Sequence, residues 1–299
     1  MTPDAAAPAP PAAPDAPSGA APDIRLVTVD MDGTLLDSEH RLPRSLGALL
    51  AELRRRGVLF CPASGRQYAT LAAQLADVAD DLVVIAENGA YVVDGGTELG
   101  STTIAPGVVA DVVRAVRRLA ATGVPAGVVV CGKRSAYVER TDPAFLTEVD
   151  RYYRLLQRVE DLLDVDDDVL KVAVFDAGSA ARTTAPALDR FRATHAVVVS
   201  GRHWVDVMDP TVDKGTAVRA VQARYGIGRA QTMAFGDYLN DLQMLDAAEH
   251  SYAMANAHPA VLERARHVAP SNDDDGVVRT ICAVLGIDLP VPAERGPGA

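Results

Sequence analysis

Two short acidic clusters, far apart in the chain, hold the side chains best suited to chemistry. The first is Asp30-Met31-Asp32-Gly33-Thr34, which ends an apolar, β-branched run from Ile24 to Val29. On an extended backbone, side chains two apart project to the same side, so Asp30 and Asp32 can both face a site at a strand tip. Gly33 permits the sharp exit that a bulkier residue resists. Carboxylates held that close repel, and an isolated pair tends to share a proton. A divalent cation removes the conflict, and Mg²⁺ is usually held by one or two carboxylates plus substrate phosphate. The second cluster is Gly236-Asp237-Tyr238-Leu239-Asn240-Asp241, again after an apolar run, Thr232 to Phe235. Asp237, Asn240 and Asp241 are three to four residues apart, the spacing of neighbours on a helix. Asn and Asp also cap helices; capping accounts for one of these residues but not for so many polar groups at one strand end.

Two further segments lie between the clusters. Ala63-Ser64-Gly65-Arg66 follows the short apolar run Val58 to Cys61, and Val212-Asp213-Lys214-Gly215-Thr216 precedes a helical pattern. Taken singly, a hydroxyl near a helix start is a cap and a lysine is solvated. Jointly they fit one chemistry, in which a hydroxyl and an ammonium hold a phosphoryl group while carboxylates hold Mg²⁺ and attack.

Taken together, Asp30-x-Asp32-Gly-Thr, Ser64, Lys214 and Gly-Asp237-x-x-Asn240-Asp241 resemble the four motifs of the haloacid dehalogenase superfamily of phosphohydrolases. Glu87-Asn88-Gly89-Ala90, Ala253-Met254-Ala255-Asn256-Ala257 and Ser271 to Val277 resemble further signatures of its Cof-like, type IIB subgroup. The match runs from Ile24 to Leu285 in the family's order, with Ser64 standing where many relatives carry threonine. The resemblance implies a phosphoric monoester hydrolase acting on a small phosphorylated metabolite through an aspartyl-phosphate. It makes Asp30 the nucleophile and Asp32 the general acid and base. It has Mg²⁺ held by the Asp30 carboxylate, the Asp32 carbonyl and Asp237. Ser64, Gly65, Lys214 and Asn240 would bind phosphate, with Lys214 also restraining Asp30. Asp241 would orient Lys214 or a metal-bound water, and Arg66, Glu87, Asn88 and Asn256 would line the mouth. A phosphomutase of the same superfamily shares this machinery, and a non-catalytic phospholigand-binding protein would share the fold without turnover. A dehalogenase has no use for Asp32, and an ion pump would need membrane spans.

The elements that must position these groups alternate. Strand and helix patterns succeed one another from Ile24 to Ser101 and again after Pro210, which indicates a doubly wound parallel sheet, a Rossmann-like α/β core. Between them the pattern changes to helices followed by hairpins, with Pro143 to Leu155 and Ala180 to Ala193 both expected as helices. This suggests an inserted α+β cap with an antiparallel sheet and helices on one face, similar to the C2-type caps of the Cof-like enzymes. The expected division is a core of residues 23–103 and 209–288, a cap of 104–208, and tails at 1–22 and 289–299. The Ala/Pro-rich first tail has neither the basic region nor the apolar stretch of a signal peptide. The run Asp164 to Asp168 reads as an exposed acidic loop, and His195 and His203 as solvated.

Bulk properties narrow the class. The 299 residues are 48% hydrophobic and 23% charged, ordinary for a globular protein. A net charge of −11 opposes a nucleic-acid surface, which needs clustered Lys and Arg. No run approaches the roughly 18 apolar residues of a membrane span. Cys61, Cys131 and Cys282 are far apart with no CxxC, which fits a reducing, cytoplasmic compartment.

Overall fold

The computed structural model describes residues 22–79 and 81–289. The expected tails fall outside these residues, apart from Pro22 and Leu289, and Leu289 packs against the core. Among the described residues, fourteen strands form two sheets. Five precede the inserted segment: β1 Leu26–Asp30, β2 Leu59–Ala63, β3 Val83–Ala86, β4 Tyr91–Asp94 and β5 Thr97–Ser101. Six lie within it: β6 Ala126–Gly132, β7 Ala136–Val138, β8 Leu156–Arg158, β9 Val169–Asp176, β10 Ala196–Gly201 and β11 Trp204–Met208. Three follow: β12 Thr232–Gly236, β13 His250–Met254 and β14 His267–Ala269.

The first sheet has the order β14-β13-β12-β1-β2-β3-β4-β5. It is parallel from β14 to β3, and β4 and β5 add an antiparallel edge. Every residue of β1 is buried, as expected of a central parallel strand covered by helices on both faces. The chain winds outward from β1 to β3, and β12 then pairs on the other side of β1. That reversal of direction is the switch point beyond whose strand tips ligands bind.

The second sheet, order β10-β11-β9-β6-β7-β8, is antiparallel except for the parallel pair β7–β8. Helices lie on both of its faces, not on one as the sequence pattern suggests. On one face Val128, Val130, Val172, Val174, Val205 and Val207 pack under the helix Pro106–Ala121. On the other, Val129, Ala173, Phe175 and Trp204 pack with Phe145, Leu146 and Val149 of the helix Pro143–Val149. The all-apolar sequence of β6 is buried throughout, consistent with cover on both sides.

Two expected helices are shorter than their patterns. The helix from Pro143 stops at Val149 because the following backbone bonds to the core instead. Gln67 Nε2 donates to the Leu155 carbonyl at 3.0 Å, its Oε1 accepts from Leu155 N at 2.9 Å, and Thr70 Oγ1 donates to the Tyr152 carbonyl at 2.9 Å. The stretch Ala180 to Ala193 breaks into three short turns. Pro186 removes a helical amide donor, and Thr184 Oγ1 donates to buried Asp176 at 2.7 Å. In the acidic run, Asp167 turns inward and accepts from Tyr137 Oη at 2.8 Å and Arg134 N at 3.0 Å.

Candidate active site

Because β12, β1 and β2 are adjacent, parallel and in register, their ends deliver three motifs to one place. Asp30 closes β1 level with Ala63 of β2, and Phe235 of β12 is level with Val29. Ser64 and Asp237 are therefore the next side chains beyond the neighbouring tips. The turn after Asp30 places Gly33 at φ 78°, where a Cβ would collide with the Asp237 carboxylate. A Cβ on Gly236 would meet Asp241 at 2.5 Å. Glycine at both positions lets the acidic loops close on each other. The fourth motif arrives on the helix Lys214–Tyr225, whose N-cap Asp213 accepts from Thr216 N at 2.7 Å. Gly89, at φ 106°, lets the loop after β3 abut that helix start, since a Cβ there would sit 2.5 Å from the Asp213 carbonyl.

At the centre, the buried ammonium of Lys214 pairs with Asp30 Oδ1 and lies 2.6 Å from Asp241 Oδ1. Asp241 Oδ2 in turn accepts from the amides of Asp237 and Tyr238, both at 3.0 Å. Thr34 Oγ1 donates to Asp237 Oδ1 at 3.1 Å. One ammonium thus serves three crowded acids. Burial, with Asp241 adding to it, pushes the Asp30 carboxyl well above the usual carboxylate range, although Lys214 opposes the shift. Asp237 is pushed up to about 6, again by burial first and then by Asp241. Burial works against the charge of Lys214, but Asp241 and Asp30 more than offset it and its pKa rises. Ligand oxygens of Asp30, Asp237 and Asp241 lie within 4.8 Å of one another. An all-oxygen donor set with too few cations suits a hard divalent metal.

Asp32 stands apart from this knot. Its side chain is 42% exposed. Arg66 grips it with both arms of the guanidinium, Nε donating to Oδ2 at 2.8 Å and Nη2 to Oδ1. His40 Nδ1 lies 3.3 Å from the same Oδ1. Ser64 is buried, its Oγ accepting from Arg66 N at 3.2 Å and its carbonyl from Asn88 N at 2.9 Å. Asn88, held at φ 59°, also accepts from Asn240 Nδ2 at 3.2 Å.

These groups open into a cavity of about 490 Å³ between the two sheets. Asp30, Asp32, Ser64, Gly65, Arg66, Asn88, Asp237 and Asn240 all line it, and Lys214 and Asp241 lie just behind. Two residues expected at the mouth do not reach it. Glu87 is buried against Lys171, 2.9 Å from its Nζ, with its carboxyl pushed up by burial and Lys171 opposing. Asn256 braces the first acidic loop, donating to the Gly33 carbonyl at 2.8 Å and accepting from Asn272 N at 3.2 Å. Asp273 braces the same loop by accepting from Ser38 N and Oγ, each at 2.8 Å.

The inserted segment adds wall residues that sequence reasoning missed: Tyr152, Lys171, Arg202, Trp204 and Asp206. His203, expected in solvent, also lines the cavity and bonds the Asp176 carbonyl at 2.8 Å. A signal for two of them was available, since Lys171 and Asp206 are charges flanked on both sides by apolar residues within their strands.

Comparison with known proteins agrees with this architecture. The haloacid dehalogenase-like hydrolase family matches residues 27–281. A curated relative from Escherichia coli (strain K12), the 5-amino-6-(5-phospho-D-ribitylamino)uracil phosphatase YbjI, is 31% identical over 89% of this chain and 98% of its own length. Among solved structures, SMU.1108c from Streptococcus mutans superposes with a TM-score of 0.80 at 24% identity, covering 88% of this chain and 100% of that one. The subclass IIB sugar phosphatase BT4131 superposes with a TM-score of 0.72 at 22% identity, covering 86% and 97%. The chain belongs to the haloacid dehalogenase-like hydrolases, as a Cof-like phosphoric monoester hydrolase whose parallel α/β core carries a cap.

Proposed function

We propose that this enzyme is a Mg²⁺-dependent phosphatase that hydrolyses a small phosphorylated metabolite through an aspartyl-phosphate on Asp30. One observation carries the reading. Asp30 is a buried carboxylate on a cavity wall, restrained by Lys214 and crowded by Asp237 and Asp241. In that reading an Asp30 oxygen attacks phosphorus while the ester P–O bond breaks. Asp32, protonated on Oδ1 in place of its Nη2 contact, gives that proton to the leaving oxygen, and the Arg66 Nε contact to Oδ2 keeps it aimed at the mouth. Water then attacks phosphorus while Asp32 takes its proton, the bond from phosphorus to the Asp30 oxygen breaks, and inorganic phosphate leaves with the Asp30 carboxylate regenerated. The Ser64 hydroxyl, Lys214 and Asn240 hold the phosphoryl oxygens, and Asp241 fixes Lys214. Asp30, the Asp32 carbonyl and Asp237 would hold Mg²⁺, which would supply charge neutralisation of the phosphoryl group.

The leaving group is read from the cap wall. Trp204 and Tyr152 offer flat apolar faces, and Ser200 and Arg202 offer hydrogen bonds. That combination suits a hydroxylated chain joined to a planar ring. The substrate in the name of the Escherichia coli relative has both parts, so 5-amino-6-(5-phospho-D-ribitylamino)uracil heads the proposed substrates. A cytoplasmic location is part of the proposal, supported by three free cysteines, two of them buried.

The test is phosphate release by purified enzyme from a panel of phosphorylated metabolites. Activity is expected only with Mg²⁺ present and is expected to fall with excess Ca²⁺, which takes about six to eight ligands in looser geometry. Full-rate turnover after EDTA treatment would remove the metal from the mechanism, and an inert enzyme across the panel would defeat the hydrolytic reading.

We also propose that residues 104–208 form a separable specificity cap. Replacing them with a short linker is expected to leave slow hydrolysis of a small aryl phosphate, because Asp30, Asp32, Ser64, Lys214 and Asp237 all lie outside the replaced segment. Discrimination among metabolites should vanish with the remote contacts that orient substrate. A folded core that kept the full enzyme's substrate ranking would place specificity in the core.

A further inference from the structure

A buried polar seam joins cap and core beside the reaction site. Lys171 on β9 and Asp206 on β11 project from the cap face that carries Ala173, Phe175 and Trp204, and that face looks toward the core. Glu87 and Asn88 come from the bend after β3. Lys171 Nζ donates to the Gly65 carbonyl at 2.8 Å and lies 2.9 Å from Glu87 Oε2 and 3.4 Å from Asp206 Oδ2. Asn88 Nδ2 donates to Asp206 Oδ2 at 3.3 Å. Lys171, Glu87 and Asp206 are only 3%, 1% and 3% exposed.

Desolvating three charges makes such a cluster a poor source of net stability, and an apolar seam would hold the cap as firmly. Its distinctive product is geometric. Gly65 sits between Ser64, which lines the cavity, and Arg66, which grips Asp32. Lys171 Nζ donates to the Gly65 carbonyl and to Asp206 Oδ2 and forms an ion pair with Glu87, so its charge is engaged within the seam. Neither carboxylate oxygen of Glu87 has a hydrogen-bond partner, so the Lys171 ammonium 2.9 Å away is what balances its charge, and lifting the cap would remove it.

We propose that Lys171 is a positioning residue for phosphoryl transfer: seated only when the cap closes, it fixes the Gly65 carbonyl and so sets Ser64 and Arg66 in place. Asp206 acts in parallel on Asn88 and, through it, on Asn240. The inference rests on the phosphatase reading above. Binding energy gained where the leaving group meets the cap is thereby converted into order at the phosphate.

The experiment compares wild type, Lys171→Met and the charge-neutral triple variant Lys171→Met/Glu87→Gln/Asp206→Asn. The triple variant leaves no stranded buried charge if the single one fails to fold. Steady-state kinetics are measured on p-nitrophenyl phosphate and on the best metabolite, and calorimetry measures inorganic phosphate binding with Mg²⁺. In the folded triple variant kcat should fall roughly 10- to 100-fold on both substrates, the scale of a misplacement near 1 Å, with KM changed less than about threefold. Phosphate affinity should weaken about tenfold, as lost alignment of Ser64 predicts. A folded triple variant with kcat within twofold of wild type overturns the proposal. So does a loss confined to the metabolite, which would make the seam a leaving-group contact. If wild type hydrolyses nothing, the phosphatase reading fails by itself, and unchanged or weakened phosphate binding then decides on Lys171.

Discussion

Asp30→Asn is expected to abolish turnover while leaving the protein at least as stable as wild type. An amide cannot form the acyl phosphate, and loss of a nucleophile costs about four orders of magnitude or more. The stability half follows from electrostatics. Burial and the Asp241 charge push the Asp30 carboxyl up even against the attraction of Lys214. At neutral pH the ionised form is therefore held at a net cost to the folded state. Asn has nearly the same shape, can still accept from Lys214 through its carbonyl oxygen, and carries no charge to desolvate. In metal-free buffer its thermal midpoint should equal or exceed that of wild type, the pattern expected where function rather than stability selects a residue. Phosphate release within tenfold of wild type by a folded Asp30→Asn protein would remove Asp30 as nucleophile. A midpoint several degrees lower, with activity lost, would show that its carboxylate is needed structurally.

Lys214→Met is expected to damage both properties. Lys214 bridges Asp30 and Asp241 and is fully buried. Removing one partner of a buried ion pair typically costs ~3–5 kcal/mol, because the remaining charges stay desolvated and unpaired. For a chain of this size that is a fall of roughly 10 °C in the melting midpoint. Turnover should drop by about a thousandfold or more, since the phosphoryl group loses its ammonium and Asp30 its restraint. Mg²⁺ should recover part of the lost stability, because a cation among Asp30, Asp237 and Asp241 replaces some of the missing charge. The measurements are thermal denaturation with and without Mg²⁺ and the initial rate. A midpoint within a degree of wild type would mean that the pair contributes nothing to folding, and a rate within tenfold would mean that Lys214 does not hold phosphate. The opposite stability signs for Asp30→Asn and Lys214→Met make the two variants a single test of how the knot is charged.

Much of this site is legible in the chain because strand tips announce themselves. An apolar run that stops at Asp30, and another that stops at Gly236-Asp237, mark two strand tips, and parallel strands bring such tips together at one edge of the sheet. Ser64 and Lys214 could be added because each begins the segment after a strand or opens a helix, so local pattern alone gives their address. The inserted cap is legible for a related reason, as the βα alternation stops near Ser101 and resumes after Pro210. Local pattern fails where a residue's partner is remote. The helix expected to Leu155 ends at Val149 since Gln67 and Thr70, more than eighty residues earlier, take the backbone groups of Tyr152 and Leu155. Helices on both faces of the cap sheet follow from how its strands stack, which periodicity within one strand does not specify. Arg66 resembles any loop arginine until folding sets it on Asp32, 34 residues away. Lys171 meets Gly65 across 106 residues and Glu87 across 84, and Asn256 finds the Gly33 carbonyl across 223. Sequence by itself determined which acids, hydroxyl and ammonium gather at the strand tips, because that placement is local to each strand end. Only the tertiary structure decided which charges neutralise which, because a buried charge is settled by whatever the folded chain brings within a few ångströms of it.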